Sequence, residues 1–170
     1  KKIAEKAGVN VLPGTECAIS EVDEVKEEAE GLGYPLILKA AFGGGGRGMR
    51  LVQNEQELVE GFKSSTQEAE ASFGRGDLYL ERYLHNPKHI EVQIIGDEHG
   101  NHAHLGEREC STQRRHQKII EEAPAPGISP STREELRDAA IRIAKEFGYN
   151  SLATVEFLVD QEKNFYFMEL

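Results

Sequence analysis

Four consecutive glycines, Gly43, Gly44, Gly45 and Gly46, followed by Arg47, separate two short apolar runs at residues 35–39 and 49–53. Glycine lacks a Cβ and reaches positive φ at little cost, so such a loop can turn bare N–H groups toward an anion. Lys39, Arg47 and Arg50 set cations at its edges. The arrangement reads as strand, loop and strand built to fold over phosphates. A mobile linker or a plain hairpin turn is the alternative, although linkers seldom sit between two short strands ringed by cations. The loop is not a P-loop, which needs Gly-Lys-Ser/Thr opening a helix. Here Arg47-Gly48-Met49 leads into a strand. Nor does a helix start at the loop, as a Rossmann fingerprint requires. Any metal accompanying bound phosphates must be held elsewhere in the chain.

The surrounding pattern predicts an α+β fold. Residues 1–7 read as the end of a helix stopped by Gly8. Ser20 caps a helix that ends at Gly31 or Gly33, with acidic residues in its first turn. Asn54 caps another, with Leu58, Phe62 and Ala69 along one side, ending near Gly74; residues 77–84 return as a strand. Residues 11–83 thus make one small α/β unit. Beyond it, residues 89–95 alternate polar and apolar, the mark of a half-buried strand. Gly100-Asn101 turns the chain back into residues 102–107. Pro124, Pro126, Gly127 and Pro130 form a loop, Ser131 or Thr132 opens a helix to Gly148, and strands at 152–159 and 164–170 close the chain. The expected organisation is residues 1–10 as the end of a preceding helix, 11–83 as a small mobile unit, and 84–170 as part of a larger, mostly antiparallel sheet.

The last hairpin supplies a metal site. A two-residue turn at Glu162 and Lys163 sets Gln161 opposite Asn164 and carries Glu156 opposite Glu169, on one face of the sheet. Directly opposed carboxylates lie roughly 5 Å apart. At an effective dielectric near 20 they repel by about 3 kcal/mol, so they share a proton or a cation. Beside a phosphate loop the natural cation is Mg²⁺, which takes one or two carboxylates plus phosphate oxygens. Two glutamates on a wet sheet face are the alternative.

Composition narrows the ligand. A net charge of −10 argues against a nucleic-acid or membrane-surface role. The basic residues nevertheless cluster, at Arg47 and Arg50 and again at Arg114, Arg115 and Lys118, which suggests a small anion. No apolar run approaches the roughly 20 residues of a membrane span. Two cysteines, Cys17 and Cys110, make no disulfide framework. A reducing cytoplasm is expected, or a mitochondrial or plastid matrix after loss of a transit peptide. The chain opens without Met inside helix-like sequence and stops on a strand-like run, so both ends are expected to be cuts through a longer protein.

Taken together, these features resemble the biotin carboxylase family of ATP-grasp enzymes. The resemblance runs through KAAFGGGGRGM (39–49), ERYLHNPKHIEVQ (81–93), ERECSTQRRHQKIIEEAPAPG (107–127) and VEFL with FYFMEL (155–170), and covers essentially the whole chain. It implies a small lid subdomain on the larger sheet, and MgATP- and bicarbonate-dependent carboxylation, through carboxyphosphate, of a biotin tethered to a carrier domain. Transferred by position, Lys39 would contact ATP phosphates under a lid formed by Gly43, Gly44, Gly45 and Gly46. Met49, Glu81, Tyr83, Leu84 and Leu158 would line the adenine pocket. His89, Gln113 and His116 would approach the ribose, Glu156 and Glu169 would hold Mg²⁺ or Mn²⁺, and Lys118 would stand at the bicarbonate end as the catalytic lysine. The implied partners are the carboxyl carrier and a carboxyltransferase, with a homodimer an option for the full-length protein. Phe42 leans the resemblance toward the pyruvate carboxylase branch. The family continues past this Glu-Leu with further metal, bicarbonate and base residues, so the 170-residue chain is expected not to turn over alone. Another ATP-grasp ligase of the carbamoyl-phosphate synthetase type, or a nucleotide-binding module without turnover, are the competing readings.

Overall fold

A computed structural model describes residues 1–41 and 48–170. The elements run α1 (Lys2–Lys6), α2 (Val22–Leu32), β1 (Leu36–Ala40), β2 (Met49–Val52), α3 (Glu55–Phe73) and β3 (Leu78–Arg82), then β4 (Lys88–Gly96), β5 (His102–Arg114), β6 (Gln117–Glu122), α4 (Pro130–Phe147), β7 (Leu152–Val159) and β8 (Phe165–Glu169). They fall into two compact units, one of residues 13–83 and one that joins residues 1–12 to 84–170. The class is α+β, and no described helix is long and apolar enough to cross a membrane.

In the 13–83 unit, β1 lies between β2 and β3, antiparallel to both. Period-2 alternation sends Leu36 and Leu38 to one face, where they meet Val52, Leu78 and Leu80 under both helices. Val25 and Ala29 come from α2, and Leu58, Phe62 and Ala69 from α3, at the predicted spacing. Asn54 caps α3 as expected, accepting from the Glu57 amide at 2.9 Å, while Glu57 reaches back to the Gln53 amide at 2.9 Å. Gly74, in the left-handed region at φ 75°, ends it. Gly61 has a separate reason to be glycine: a Cβ there would lie 2.9 Å from Arg50 Cδ and 3.2 Å from Leu38 Cδ1, so its absence lets α3 settle onto the sheet. The start of α2 departs from expectation. Glu21, not Ser20, is the N-cap, without a side-chain cap bond, and Asp23 and Glu24 supply the favourable charge at the N-terminus.

The other unit is an antiparallel sheet of five strands in the order β6-β5-β4-β7-β8. Ile90, Val92 and Ile94 of β4 and Val155, Phe157 and Val159 of β7 pack against Leu136, Ala139, Ala140, Ile143 and Ala144 of α4. That helix starts earlier than Ser131. Ser129 caps it, accepting from the Thr132 amide at 3.0 Å, and Pro130 occupies the first helical position. There its missing N–H costs nothing and its fixed φ helps, so a proline assigned to the loop belongs to the helix. Strand β5 runs well past Glu107, and Arg115 and His116, at φ 52° and 65°, turn it tightly into β6. The basic island is therefore a hairpin tip.

The final hairpin reaches the predicted pairing by a different register. Val159, Leu158 and Phe157 oppose Phe165, Tyr166 and Phe167, one residue displaced from a two-residue turn. Asp160 explains the displacement. Its carboxylate accepts from the Asn164 amide at 2.8 Å and side chain at 3.0 Å, closing a wider turn in which Lys163 has φ 73°. A shift between Glu156 and Phe157 then absorbs Met168 as an extra residue and returns Glu156 to a position opposite Glu169.

Candidate functional site

In the five-stranded unit, Arg108 of β5, Glu91 of β4, Glu156 of β7 and Glu169 of β8 lie in one row across the sheet. Directly paired strand residues share a face at roughly 5 Å spacing, so the row sets three carboxylates side by side. It sits opposite the face that α4 covers, because the alternation that buries Ile90 and Val92 turns Glu91 the other way. Such a row holds together only with cations inserted into it. Arg108 pairs with one oxygen of Glu91 and donates to Gln93 Oε1 at 3.1 Å. Lys118, reaching in from β6, binds the other oxygen of Glu91 and, at 2.7 Å, Glu156 Oε1. Glu91 is 2% exposed and Glu156 9%, so both carboxylates depend on these partners for the solvation they have lost.

Glu156 Oε2 accepts from His89 Nε2 at 2.6 Å. The tautomer follows from the next bonds. Gln113 Nε2 lies 2.8 Å from the Cys110 carbonyl and 2.6 Å from His89 Nδ1. Turning the amide over would press its oxygen against that carbonyl, so the nitrogen faces both. His89 Nδ1 is then an acceptor and Nε2 carries the proton donated to Glu156. Burial pushes the Glu156 carboxyl up, but the hydrogen bonds from His89 and Lys118 outweigh it and hold the acid below its ordinary value. Burial pulls the Lys118 ammonium down, and the hydrogen bonds and charges of Glu156 and Glu91 overcome that and hold it above the usual lysine range. At neutral pH the pair is ionised.

In the 13–83 unit, Lys39 of β1 is paired with Glu81 of β3. Lys39 opposes Met49 on β2, and Ile37 opposes Glu81 on β3. Lys39, Met49 and Glu81 therefore share the sheet face that the helices leave open, since Leu36 and Leu38 occupy the covered one. Glu81 is 9% exposed. The Tyr83 amide donates to the Pro35 carbonyl at 3.1 Å, fixing the end of β3.

Of the residues singled out from sequence, His89, Gln113, Lys118 and Glu156 form one bonded cluster, and Glu169 is the cross-strand partner of Glu156. Leu158 pairs with His89 across β4 and β7. His116 stands exposed at the β5–β6 turn, outside the cluster. Leu84 is half-buried between β3 and β4. Gly43, Gly44, Gly45 and Gly46, with Phe42, lie outside the described residues. Sequence reasoning missed Glu91 and Arg108. Glu91 was within reach, because it shares the polar phase of the alternating strand with His89. Arg108 was not, because a bulge between Val92 and Ile94 sets its register.

The row also fits a divalent cation. Arg108 and Lys118 answer Glu91, and Lys118 also answers Glu156, while Glu169 has no ion-pair partner among the described residues. Glu156 and Glu169 together offer hard oxygen donors of the kind Mg²⁺ and Mn²⁺ take.

Comparison with known proteins gives a consistent family. The model of the carbamoyl-phosphate synthase L chain ATP-binding domain matches residues 1–170. Pyruvate carboxylase 1 of Caenorhabditis elegans is 51% identical over 170 residues, all of this chain and 14% of that protein. A biotin carboxylase complex with β,γ-ATP from Campylobacter jejuni superposes with a TM-score of 0.95 at 51% identity, over 99% of this chain and 38% of that one. The biotin carboxylase domain dimer of the 2-oxoglutarate carboxylase of Hydrogenobacter thermophilus, solved with MgADP, ADP and bicarbonate, gives a TM-score of 0.94 at 48% identity, over 99% of this chain and 37% of that one. The chain thus spans well under half the length of these relatives.

Proposed function

The chain belongs to the family of the carbamoyl-phosphate synthase L chain ATP-binding domain, in which it resembles biotin carboxylases, and from that premise we propose that it carries nucleotide- and metal-binding parts of an enzyme that uses MgATP and bicarbonate to carboxylate carrier-linked biotin. The observation that carries this reading is the row Arg108, Glu91, Glu156 and Glu169 with Lys118 and His89 bonded into it. Such a row presents a divalent-cation position next to an ammonium. Phosphoryl transfer needs those two things, since it proceeds mainly by positioning and by cancelling developing charge.

Glu156 and Glu169 would hold Mg²⁺ or Mn²⁺, which would neutralise ATP phosphate oxygens when bound. Lys118 orients the anionic bicarbonate or the carboxyphosphate derived from it. His89 and Gln113 line the ribose side, with Leu158 against the base. Lys39 would contact phosphates, and Met49, Glu81, Tyr83 and Leu84 the adenine, with residues 11–83 as the lid subdomain. The lid would keep water from carboxyphosphate. A carboxyl carrier and a carboxyltransferase are the partners, a dimer the assembly, and a reducing cytoplasm or organelle matrix the setting. Relatives named for pyruvate and for 2-oxoglutarate match at 51% and 48%, as expected of a segment that carries the step they have in common.

The test is calorimetric titration of MgATP into the chain, its Lys39→Ala variant and its Glu156→Gln variant. Lys39→Ala weakens nucleotide binding with or without metal, whereas Glu156→Gln removes only the metal-dependent part. Unchanged affinity in both variants refutes the site.

A further inference from the structure

Both oxygens of Glu156 are taken, Oε1 by Lys118 at 2.7 Å and Oε2 by His89 at 2.6 Å. A divalent cation binding an oxygen of this carboxylate sits about 2.0–2.1 Å from it, within a few ångströms of the ammonium. A monovalent and a divalent cation at that distance repel strongly in a half-buried site. One donor must leave. His89, donating from Nε2 to Glu156 and held through Nδ1 by Gln113, has no other acceptor among the described residues. Lys118 has a second seat already made, since it binds Glu91 as well. Glu91 is kept from following it by Arg108, which also grips Gln93 two residues along the same strand.

We propose that Lys118 is an internal counter-ion of Glu156, which divalent metal displaces onto Glu91, and that Glu91 and Arg108 are positioning residues that receive and hold it. The exchange couples two events. Metal enters only as Lys118 withdraws, and an ammonium released from Glu156 has an N–H free for an anionic substrate beside the metal. The incoming cation takes over Glu156 together with Glu169, and Glu91 then faces both Arg108 and Lys118, so the row passes from a net negative to a net positive charge, which an anionic substrate offsets. This inference rests on the metal reading of Glu156 given above.

The experiment is titration of Mn²⁺ alone, without nucleotide, into the 170-residue chain. Free Mn²⁺ is counted by electron paramagnetic resonance, and folding is checked by circular dichroism. Lys118→Met is expected to tighten Mn²⁺ binding by roughly tenfold, the order of one charge-assisted hydrogen bond that no longer has to be broken. Glu91→Gln is expected to weaken it about as much, because Lys118 then has only Glu156. The same Glu91→Gln change is expected to do little in the Lys118→Met background. A Glu91→Gln effect that persists there, or a Lys118→Met variant that binds no tighter, overturns the exchange while Glu156→Gln still abolishes binding. Equal Mn²⁺ affinity of wild type and Glu156→Gln overturns the metal reading and the exchange with it. Should Glu91→Gln not fold, the affinity of Lys118→Met, changed at a partly exposed position, decides.

Discussion

The charge of Glu107 is buried and costly to remove. Its side chain has no exposure, and it is held by Arg133 and Arg137 from the first turns of α4 and by the Ala125 amide at 3.3 Å. Arg137 reaches it at 2.8 and 2.9 Å through two nitrogens. Glu107→Gln preserves shape and removes the charge, leaving two guanidiniums facing a neutral amide. Removing one partner of a buried ion pair costs about 3–5 kcal/mol. Each arginine side chain keeps 21% exposure, so water recovers part of the loss and about 3 kcal/mol is expected. In a chain of this size each kcal/mol lowers Tm by about 2–4 °C, giving a fall of roughly 6–12 °C. The assay is scanning calorimetry at pH 7 on wild type, Glu107→Gln and a triple variant that combines Glu107→Leu, Arg133→Met and Arg137→Met. The triple variant is expected to recover most of the stability, because an apolar set of similar volume has no ionic desolvation to offset. A fall below about 2 °C in Glu107→Gln would show that the arginines solvate freely and would refute the reasoning.

Three further outcomes can be checked. Glu156 has a folded-state pKa below its unfolded value, so it contributes stability above the ordinary glutamate range that is lost as pH falls through the depressed value; urea midpoints of wild type and Glu156→Gln should converge on acidification, and a constant gap would count against the His89 and Lys118 bonds. Cys110 is buried and its thiol is pushed up to about 12, by burial first and then by the charge of Glu91. Exposed Cys17 should therefore react with a thiol reagent at pH 8 while Cys110 waits for unfolding, and two equally fast thiols would contradict the packing. At Gly14 a Cβ would lie 2.4 Å from the Leu80 carbonyl oxygen, so Gly14→Ala should cost about 1–3 kcal/mol and loosen the strand that carries Glu81. A neutral result in denaturant titration would refute that close approach.

What could be read from the sequence was local in the chain. Asn54 and Gly74 mark the ends of α3 because a cap acts within a few residues of itself. The opposition of Glu156 and Glu169 was legible because a hairpin joins neighbouring strands, although the route to it was not. Asp160 widens the turn and Met168 bulges out, two displacements that cancel at the glutamates. Helix α4 started early for a similar reason, since Ser129 and Pro130 act as a pair that neither residue announces alone.

The sequence by itself therefore determined most of the α+β elements, the polar phase of the alternating strand β4 and the presence of a basic island. Tertiary structure alone decided which charges neutralise one another. Glu91 and Glu156 meet because β4 pairs with β7 across the whole of α4. Lys118 joins them from β6, two strands away from β7's own partner. Such contacts close long loops, so they depend on sheet order and on burial, and no short window of sequence encodes them.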